Sequence, residues 1–223
     1  MTIQEAIKAR HSVRSYTDRK IPAETVSLLK AEIDACNRES GLHIQLVTNE
    51  PKAFDGMMAH YGKFTGVQNY IALIGKKKEY LEEQIGYYGE RLALSAQTLG
   101  LNSCWVAMTF SKGTVKKSCT LDDGEKLSCV LALGYGATEG VPHKSKPMET
   151  LCKTDRSMPD WFKAGMEDAM LAPTAVNQQK FLITLTGDHA EAKSLGGFYS
   201  MIDLGIVEYH FETGSGKSIH PFP

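Results

Sequence analysis

Apolar residues recur along this chain at two periods, and the switches between them give its layout. From Leu28-Leu29 through Ile33 to Cys36 the spacing is helical, with Pro22 near the helix start, where a missing N–H costs nothing. Leu42-His43-Ile44-Gln45-Leu46-Val47-Thr48 alternates with period two and predicts a strand. Residues 69–75 form an unbroken apolar run, short enough for a buried strand. Residues 80–99 return to the helical period: Leu81, Ile85, Tyr88, Leu92, Ser95, Ala96 and Leu99 share one face, and Gly100 caps the end. A short helical segment begins at Val115, and residues 127–133 predict another buried strand. Residues 136–160, rich in Gly, Pro, Lys and Thr, have no apolar period and predict a long crossing segment.

Beyond that segment the pattern partly returns. Lys30-Ala31-Glu32-Ile33-Asp34-Ala35 with its following strand is matched by Lys163-Ala164-Gly165-Met166-Glu167-Asp168-Ala169 with Phe181-Leu182-Ile183-Thr184-Leu185. Tyr88-Gly89-Glu90-Arg91-Leu92-Ala93-Leu94 is loosely echoed by Ile202-Asp203-Leu204-Gly205-Ile206-Val207-Glu208. Helix–strand units often look alike, but both elements recur in the same order, which predicts an incomplete internal repeat. The expected organisation is a core over residues 1–150 and a partial second copy over 160–223.

Composition narrows the function classes. A chain of 223 residues can bury one good core plus a smaller addition. A net charge of −1 and a pI near 6.7 give no electrostatic reason to expect nucleic acid or an anionic membrane as a partner. Lys76-Lys77-Lys78 reads as a solvated turn. The five cysteines lack any Cys-x-x-Cys pair and predict reduced thiols in a cytoplasmic protein, with no disulfide framework and no metal site. The polar first residues predict no signal peptide, and no apolar run approaches the roughly 18 residues of a membrane span.

The candidate chemistry starts at Arg10-His11-Ser12-Val13-Arg14. A guanidinium is a rigid fork of donors that can grip a phosphate through two bonds at once, and a serine between two of them adds a third donor. By itself Arg-x-Ser-x-Arg is equally a solvated basic loop. Four further pieces change that. These are Ala93-Leu94-Ser95-Ala96-Gln97-Thr98-Leu99-Gly100-Leu101-Asn102-Ser103-Cys104-Trp105, the strand Val130-Leu131-Ala132-Leu133-Gly134-Tyr135-Gly136, Lys144-Ser145-Lys146, and Ala172-Pro173-Thr174-Ala175-Val176-Asn177-Gln178-Gln179. In this order, behind Ile3-Gln4-Glu5-Ala6-Ile7, they resemble the FMN-dependent nitroreductase family.

The resemblance implies an α+β fold with a central, mostly antiparallel sheet flanked by helices, here with a fused partial second copy. It implies that Arg10, Ser12 and Arg14 hold the FMN phosphate and ribityl tail, that His11 contributes backbone only, and that Lys144 and Lys146 stand where the family has a Lys-x-Arg phosphate contact. Lys146 for Arg keeps the charge and loses the bidentate geometry. Pro173, Thr174, Ala175 and Asn177 match the loop along the isoalloxazine ring, where the Asn amide can both donate and accept. Ala107 and Met108 fall where the family offers a backbone N–H to flavin N5, with Met108 in place of the usual Gly; Lys63 falls near the pyrimidine carbonyl. Trp105 and Phe181 read as packing residues.

The reaction so implied is reduction of nitroaromatics, quinones or similar electron-poor acceptors. NAD(P)H would reduce the flavin and leave before the acceptor enters, and no protein acid or base is needed. No Ser–His–Asp order, His-Glu-x-x-His, Walker loop or Gly-x-Gly-x-x-Gly competes with this reading. A flavin store or sensor without turnover fits the same residues, and steady-state NAD(P)H oxidation separates the two. A module that binds no flavin is the third alternative.

In the family the arm and the ring loop of each site come from two interlocked subunits. Here the first copy has the arm but Asn37-Arg38-Glu39-Ser40-Gly41 in place of the loop. The second has the loop, but Arg156-Ser157-Met158 makes no arm. The complementary loss predicts one flavin per chain, in a monomeric pseudo-dimer or a loose homodimer.

Overall fold

The computed structural model describes residues 1–222. In chain order it contains α1 (Ile3–Ala9), α2 (Ala23–Ser40), β1 (Gln45–Val47), α3 (Met57–Tyr61), β2 (Asn69–Lys76), α4 (Leu81–Thr98), β3 (Asn102–Val106), α5 (Lys112–Ser118), β4 (Glu125–Gly134), β5 (Cys152–Thr154), α6 (Asp160–Ala169), β6 (Phe181–Thr186), β7 (His189–Ser194) and α7 (Ser200–Ser215). Two compact units result. One holds Met1 with residues 10–81 and 92–141; the other holds residues 2–9, 82–91 and 142–223, so the division passes through α4.

The first unit is built on an antiparallel sheet of order β1-β2-β4-β3. Every residue of β2 from Asn69 to Gly75 is buried and only Lys76 is exposed, which is why that run carries no polar alternation. Tyr16, Phe54, Phe64 and Tyr70 belong to the apolar cluster packed with this sheet, and Phe54 meets Phe64 edge-on at 5.3 Å between ring centres. The strand expected over 42–48 shortens to Gln45–Val47. Leu42 and Ile44 are buried as the alternation requires, but the Asn37 side chain binds both the N–H and the C=O of Ile44, at 2.8 and 2.9 Å. Helix α5 begins at Lys112 rather than Val115 because Ser111 Oγ accepts from Thr114 N and caps it.

The second unit has a smaller sheet of order β5-β6-β7, with β5 parallel and β7 antiparallel to β6. Phe181 is buried at its start. Neither β5 nor β7 was legible as a strand: β5 buries only Cys152, and β7 buries only Ala190. Helix α7 is buried continuously from Ile202 to Glu208, apolar nearly all round, as a helix enclosed by neighbours must be.

Within this unit the first turns of α4 cross α7 backbone to backbone. A Cβ on Gly86 would lie 2.0 Å from Ile202 O, and one on Gly205 would lie 1.9 Å from Glu83 O. The relation is reciprocal: each glycine meets the carbonyl three residues before the other. Both helices also start from a tyrosine in the left-handed conformation, Tyr80 (φ 59°) and Tyr199 (φ 54°). In this crossing Gly86 and Gly205 are counterparts, a different register from the sequence match of Tyr88 with Ile202.

So close an approach buries acids on both helices. Burial raises the Glu208 carboxyl to about 11, with the charge of Glu83, their mutual hydrogen bond and Glu212 adding to it. Glu83 is raised too, mainly by burial. Further along, His210 Nε2 lies 3.0 Å from Glu90 Oε1 with both side chains fully buried, and its Nδ1 lies 3.0 Å from Asp168 O. Glu212 accepts from Tyr87 OH, Ile219 N and the His220 ring at 2.7, 2.6 and 2.7 Å. Burial opposes its charge, but these donors outweigh burial and hold its carboxyl below the usual range.

Two outcomes follow. Gly205→Ala should destabilise the protein by about 3 kcal/mol, as an overpacked backbone contact does, while Gly113→Ala, where a Cβ meets nothing within 4 Å, should not; urea melts of the two variants read the difference. At neutral pH the folded chain keeps a Glu208 proton that the unfolded chain, titrating near 4.5, has released. That contribution to stability is present at low pH and is lost as pH rises towards 11. Glu208→Gln, which fixes the neutral form, should therefore raise the melting temperature at pH 8 by at least about 4 °C and at pH 5 by less. An equal gain at both pH values would refute a protonated Glu208.

Candidate functional site

The residues singled out from the sequence fall into two groups, one in each unit. In the first unit the chain leaves α1 and enters the sheet region through Arg10–Tyr16. Val13 N donates to Ser103 O at 3.1 Å, Ser12 bridges Ser103, and Ser15 bridges Thr65, so the arm is pinned along its length. Arg10 is buried at 4% exposure, while Arg14 is exposed and lies 5.9 Å from the Phe64 ring. A guanidinium is rarely buried to this degree unless an anion or acceptor compensates it.

Cys104, on β3, lies beside the arm. Its thiol is pushed up by burial; the charges of Arg14 and Arg10 and a hydrogen bond with Ser12 pull the other way. Gly140 closes the back of the arm: a Cβ there would sit 2.8 Å from His11 Cβ and 3.1 Å from Ser12 O, and its φ of +72° suits glycine. His11 is half-buried.

Lys63, Ala107 and Met108 belong to the same neighbourhood. Lys63 is exposed, has φ 59°, and directly precedes Phe64. Gly62 packs against Thr109 so tightly that a Cβ would come within 2.6 Å of its hydroxyl, which places the end of α3 against the turn carrying Ala107 and Met108. Ala107 is half-buried and Met108 59% exposed, beyond the end of β3. Trp105 is half-buried within β3.

In the second unit the structure brings Lys144 and Lys146 onto the loop of Pro173, Thr174, Ala175 and Asn177. Asn177 Nδ2 and Gln179 Nε2 each donate to Lys144 O at 3.0 Å, and Gln179 Oε1 accepts from Lys146 N at 2.7 Å. Lys146 Nζ donates to the carbonyls of Gln178 and Gln179 at 2.7 and 3.1 Å, so its ammonium supports the loop. The Lys144 side chain is exposed. Asn177 Oδ1 also accepts from Gln179 Nε2 at 2.9 Å. The loop's 3-10 turn, Ala175–Asn177, contains Val176 at φ 46° with 89% exposure, followed by Asn177 at φ 54°. A β-branched residue there costs of order 1–3 kcal/mol unless its surroundings fix it.

The residue the sequence reading missed is Asp203. Its carboxylate, on α7, accepts from Ala175 N at 2.9 and 3.1 Å and from Gln178 Nε2 at 2.7 Å. Burial raises it to about 6 against those hydrogen bonds. The signal was present: one acid inside Ile202-Asp203-Leu204-Gly205-Ile206-Val207 must be buried and therefore needs partners.

Among the described residues no helix is long and apolar enough to cross a membrane, and all five cysteines are free. His43, Asp122 and Glu125 place three potential ligand atoms within 4.8 Å of one another, though His43 Nδ1 is already bonded to Glu125 Oε2 at 2.9 Å.

Comparison with known proteins turns this geometry into a family. A crystal structure from Thermotoga maritima, described as a putative nitroreductase, superposes with a TM-score of 0.66 at 22% identity, over 95% of this chain and 82% of that one. A putative NADH dehydrogenase/NAD(P)H nitroreductase from Bacteroides thetaiotaomicron gives 0.53 at 22% identity, over 67% of this chain and 95% of its own. A putative nitroreductase from Desulfovibrio desulfuricans, in complex with FMN, gives 0.53 at 22% identity, over 68% and 95%. At these identities the likeness shows the fold. No functionally curated protein matches the chain. The family described as "Putative TM nitroreductase" matches residues 2–215, and the chain belongs to that nitroreductase family.

Proposed function

We propose that the protein is an FMN-dependent oxidoreductase that uses NAD(P)H to reduce small electron-poor acceptors such as nitroaromatics or quinones. The observation that carries this reading is the pinned arm, in which Arg10, Ser12 and Arg14 stand on one stretch tied to Ser103 and Thr65, in a chain matched by a nitroreductase family over residues 2–215. The FMN held by the Desulfovibrio desulfuricans relative, a protein of the same fold, supports the choice of cofactor.

The donor set fits FMN. A terminal phosphate is a near-dianion, and Arg10, Ser12 and Arg14 supply two cationic forks and a hydroxyl for it. No Gly-rich βαβ turn of the kind that holds a dinucleotide pyrophosphate occurs in the sequence. Ala107 and Met108 would present backbone to the reactive edge of the ring and Lys63 would serve its pyrimidine side. Pro173, Thr174 and Ala175 would back the ring, and Asn177 would face its polar edge. Bound FMN supplies the hydride and electron transfer. The chain's own part is to hold and orient it, with proximity rather than proton transfer setting the rate.

Three results test this. Denatured protein should release a yellow chromophore of FMN mass, and protein that stays colourless after incubation with FMN would end the proposal. In titrations Arg10→Ala should weaken FMN by about one to two decades, the cost of one charge-assisted phosphate contact, and His11→Ala by less. Initial rates with NAD(P)H and an acceptor varied together should give the parallel lines of a ping-pong cycle; absence of turnover would favour an electron store.

Each motif occurs once in the chain, and we infer one FMN per chain. The reciprocal Gly86–Gly205 crossing supports an internal repeat of this kind. Titration of the purified protein with FMN should saturate at one equivalent per chain, and saturation at two would overturn the inference.

A further inference from the structure

The ring loop does not hold itself. Val176 stands at φ 46° and is 89% exposed, so its own side chain packs on almost nothing that could compensate the strain. What fixes its conformation is the tying of both flanks. On one side Ala175 N donates to both Asp203 carboxylate oxygens, at 2.9 and 3.1 Å. On the other, Gln178 Nε2 donates to Asp203 Oδ2 at 2.7 Å and to Phe198 O at 2.7 Å. Asp203 sits at 7% exposure in the apolar start of α7, where a carboxylate is costly unless bonded. Gly197, at φ 129°, lets the preceding strand-to-helix link close over Gln178: a Cβ there would fall 2.3 Å from Gln178 Oε1.

We propose that Asp203 is the positioning residue of the flavin site: its carboxylate, gripping Ala175 N and Gln178 Nε2, sets the Pro173–Asn177 loop in the shape that receives the isoalloxazine ring. The role rests on the FMN reading above. Asp203 touches neither cofactor nor acceptor and acts only through the loop.

The carboxylate form is the one that accepts all of these bonds. Burial holds Asp203 at about 6, so the grip is complete above that pH and weakens below it as the carboxyl takes a proton and becomes a poorer acceptor. Other charged or titratable groups stand on the elements around it: Glu83 on α4, Tyr199 at the start of α7 and Glu208, His210 and Glu212 along it, His189, Glu191 and Lys193 on β7, His143 and Lys146 in the strap, and Lys180 after the loop. A pH dependence of loop behaviour is therefore assigned to the Asp203 carboxyl by comparison with a variant that lacks it.

The test uses the full-length protein and Asp203→Asn, which keeps shape and one acceptor oxygen but sets an NH2 against donors. In flavin-free protein at pH 7.5, hydrogen exchange at the Ala175 and Asn177 amides should quicken about tenfold or more in the variant. The FMN dissociation constant should rise about tenfold at pH 7.5. In the wild type FMN binding should weaken from pH 7 to pH 5, and in the variant the slope should shrink to the part contributed by the FMN phosphate, whose second proton titrates at about 6. A variant that is merely less stable would keep the slope. Unchanged exchange at Ala175 would overturn the proposal. So would faster exchange with FMN affinity intact while Arg10→Ala still weakens it, a result that leaves the FMN reading standing. Wild-type protein that binds no FMN would remove both together. Should Asp203→Asn fail to fold, Gln178→Ala, which takes one donor from the same carboxylate, is read by the same three measurements: faster Asn177 exchange and weaker FMN support the proposal, and no change in either overturns it.

Discussion

Two helices meeting backbone against backbone is the constraint on which the second unit depends. At Gly86 and Gly205 any side chain would collide with the opposing helix, so α4 and α7 come closer than side-chain packing allows. At that distance no water separates the helices, and every polar residue on the facing turns must find its partner across the crossing or near it. Glu83 meets Glu208, Glu90 meets His210, and Tyr87 meets Glu212. These contacts are consequences of the glycines rather than independent features.

A buried acid pair adds little net stability and a strong condition on its protonation. Glu208 keeps its proton because two charges so placed could not both be desolvated. Glu212 faces the opposite environment, with Tyr87, Ile219 and His220 all donating to it, and through them it fastens the segment after α7. Asp203, two residues before Gly205, lies between these extremes. The same helix that makes the crossing therefore also carries the acid that accepts from Ala175 N and Gln178 Nε2. Burial raises that acid's carboxyl to about 6.

The loop and the strap of Lys144–Lys146 form one hydrogen-bonded assembly. Gln179 is its hub, bonded to Lys144, Lys146, Asn177 and Thr174. The resemblance assigned Lys146 to a phosphate; here its ammonium lies on carbonyls at the end of the loop.

What the sequence determined by itself was whatever local periodicity and motif chemistry control. The long helix over 80–99, the buried runs of β2 and β4, the helix after Pro22 and the arm Arg10–Arg14 were legible, because each is a pattern within a dozen residues. The family resemblance was legible for the same reason. Tertiary structure alone decided the rest. β5 and β7 exist because β6 offers them edges, not because their own residues demand a strand. β1 is short because Asn37 takes over the backbone of Ile44. Gly86 and Gly205 look like weak points in two helices until the helices are seen to touch there. Asp203 reads as a misplaced charge until the loop it holds is folded against it. Contacts between residues far apart in the chain leave no period in either segment, and a buried polar group announces only that it needs a partner, never which one.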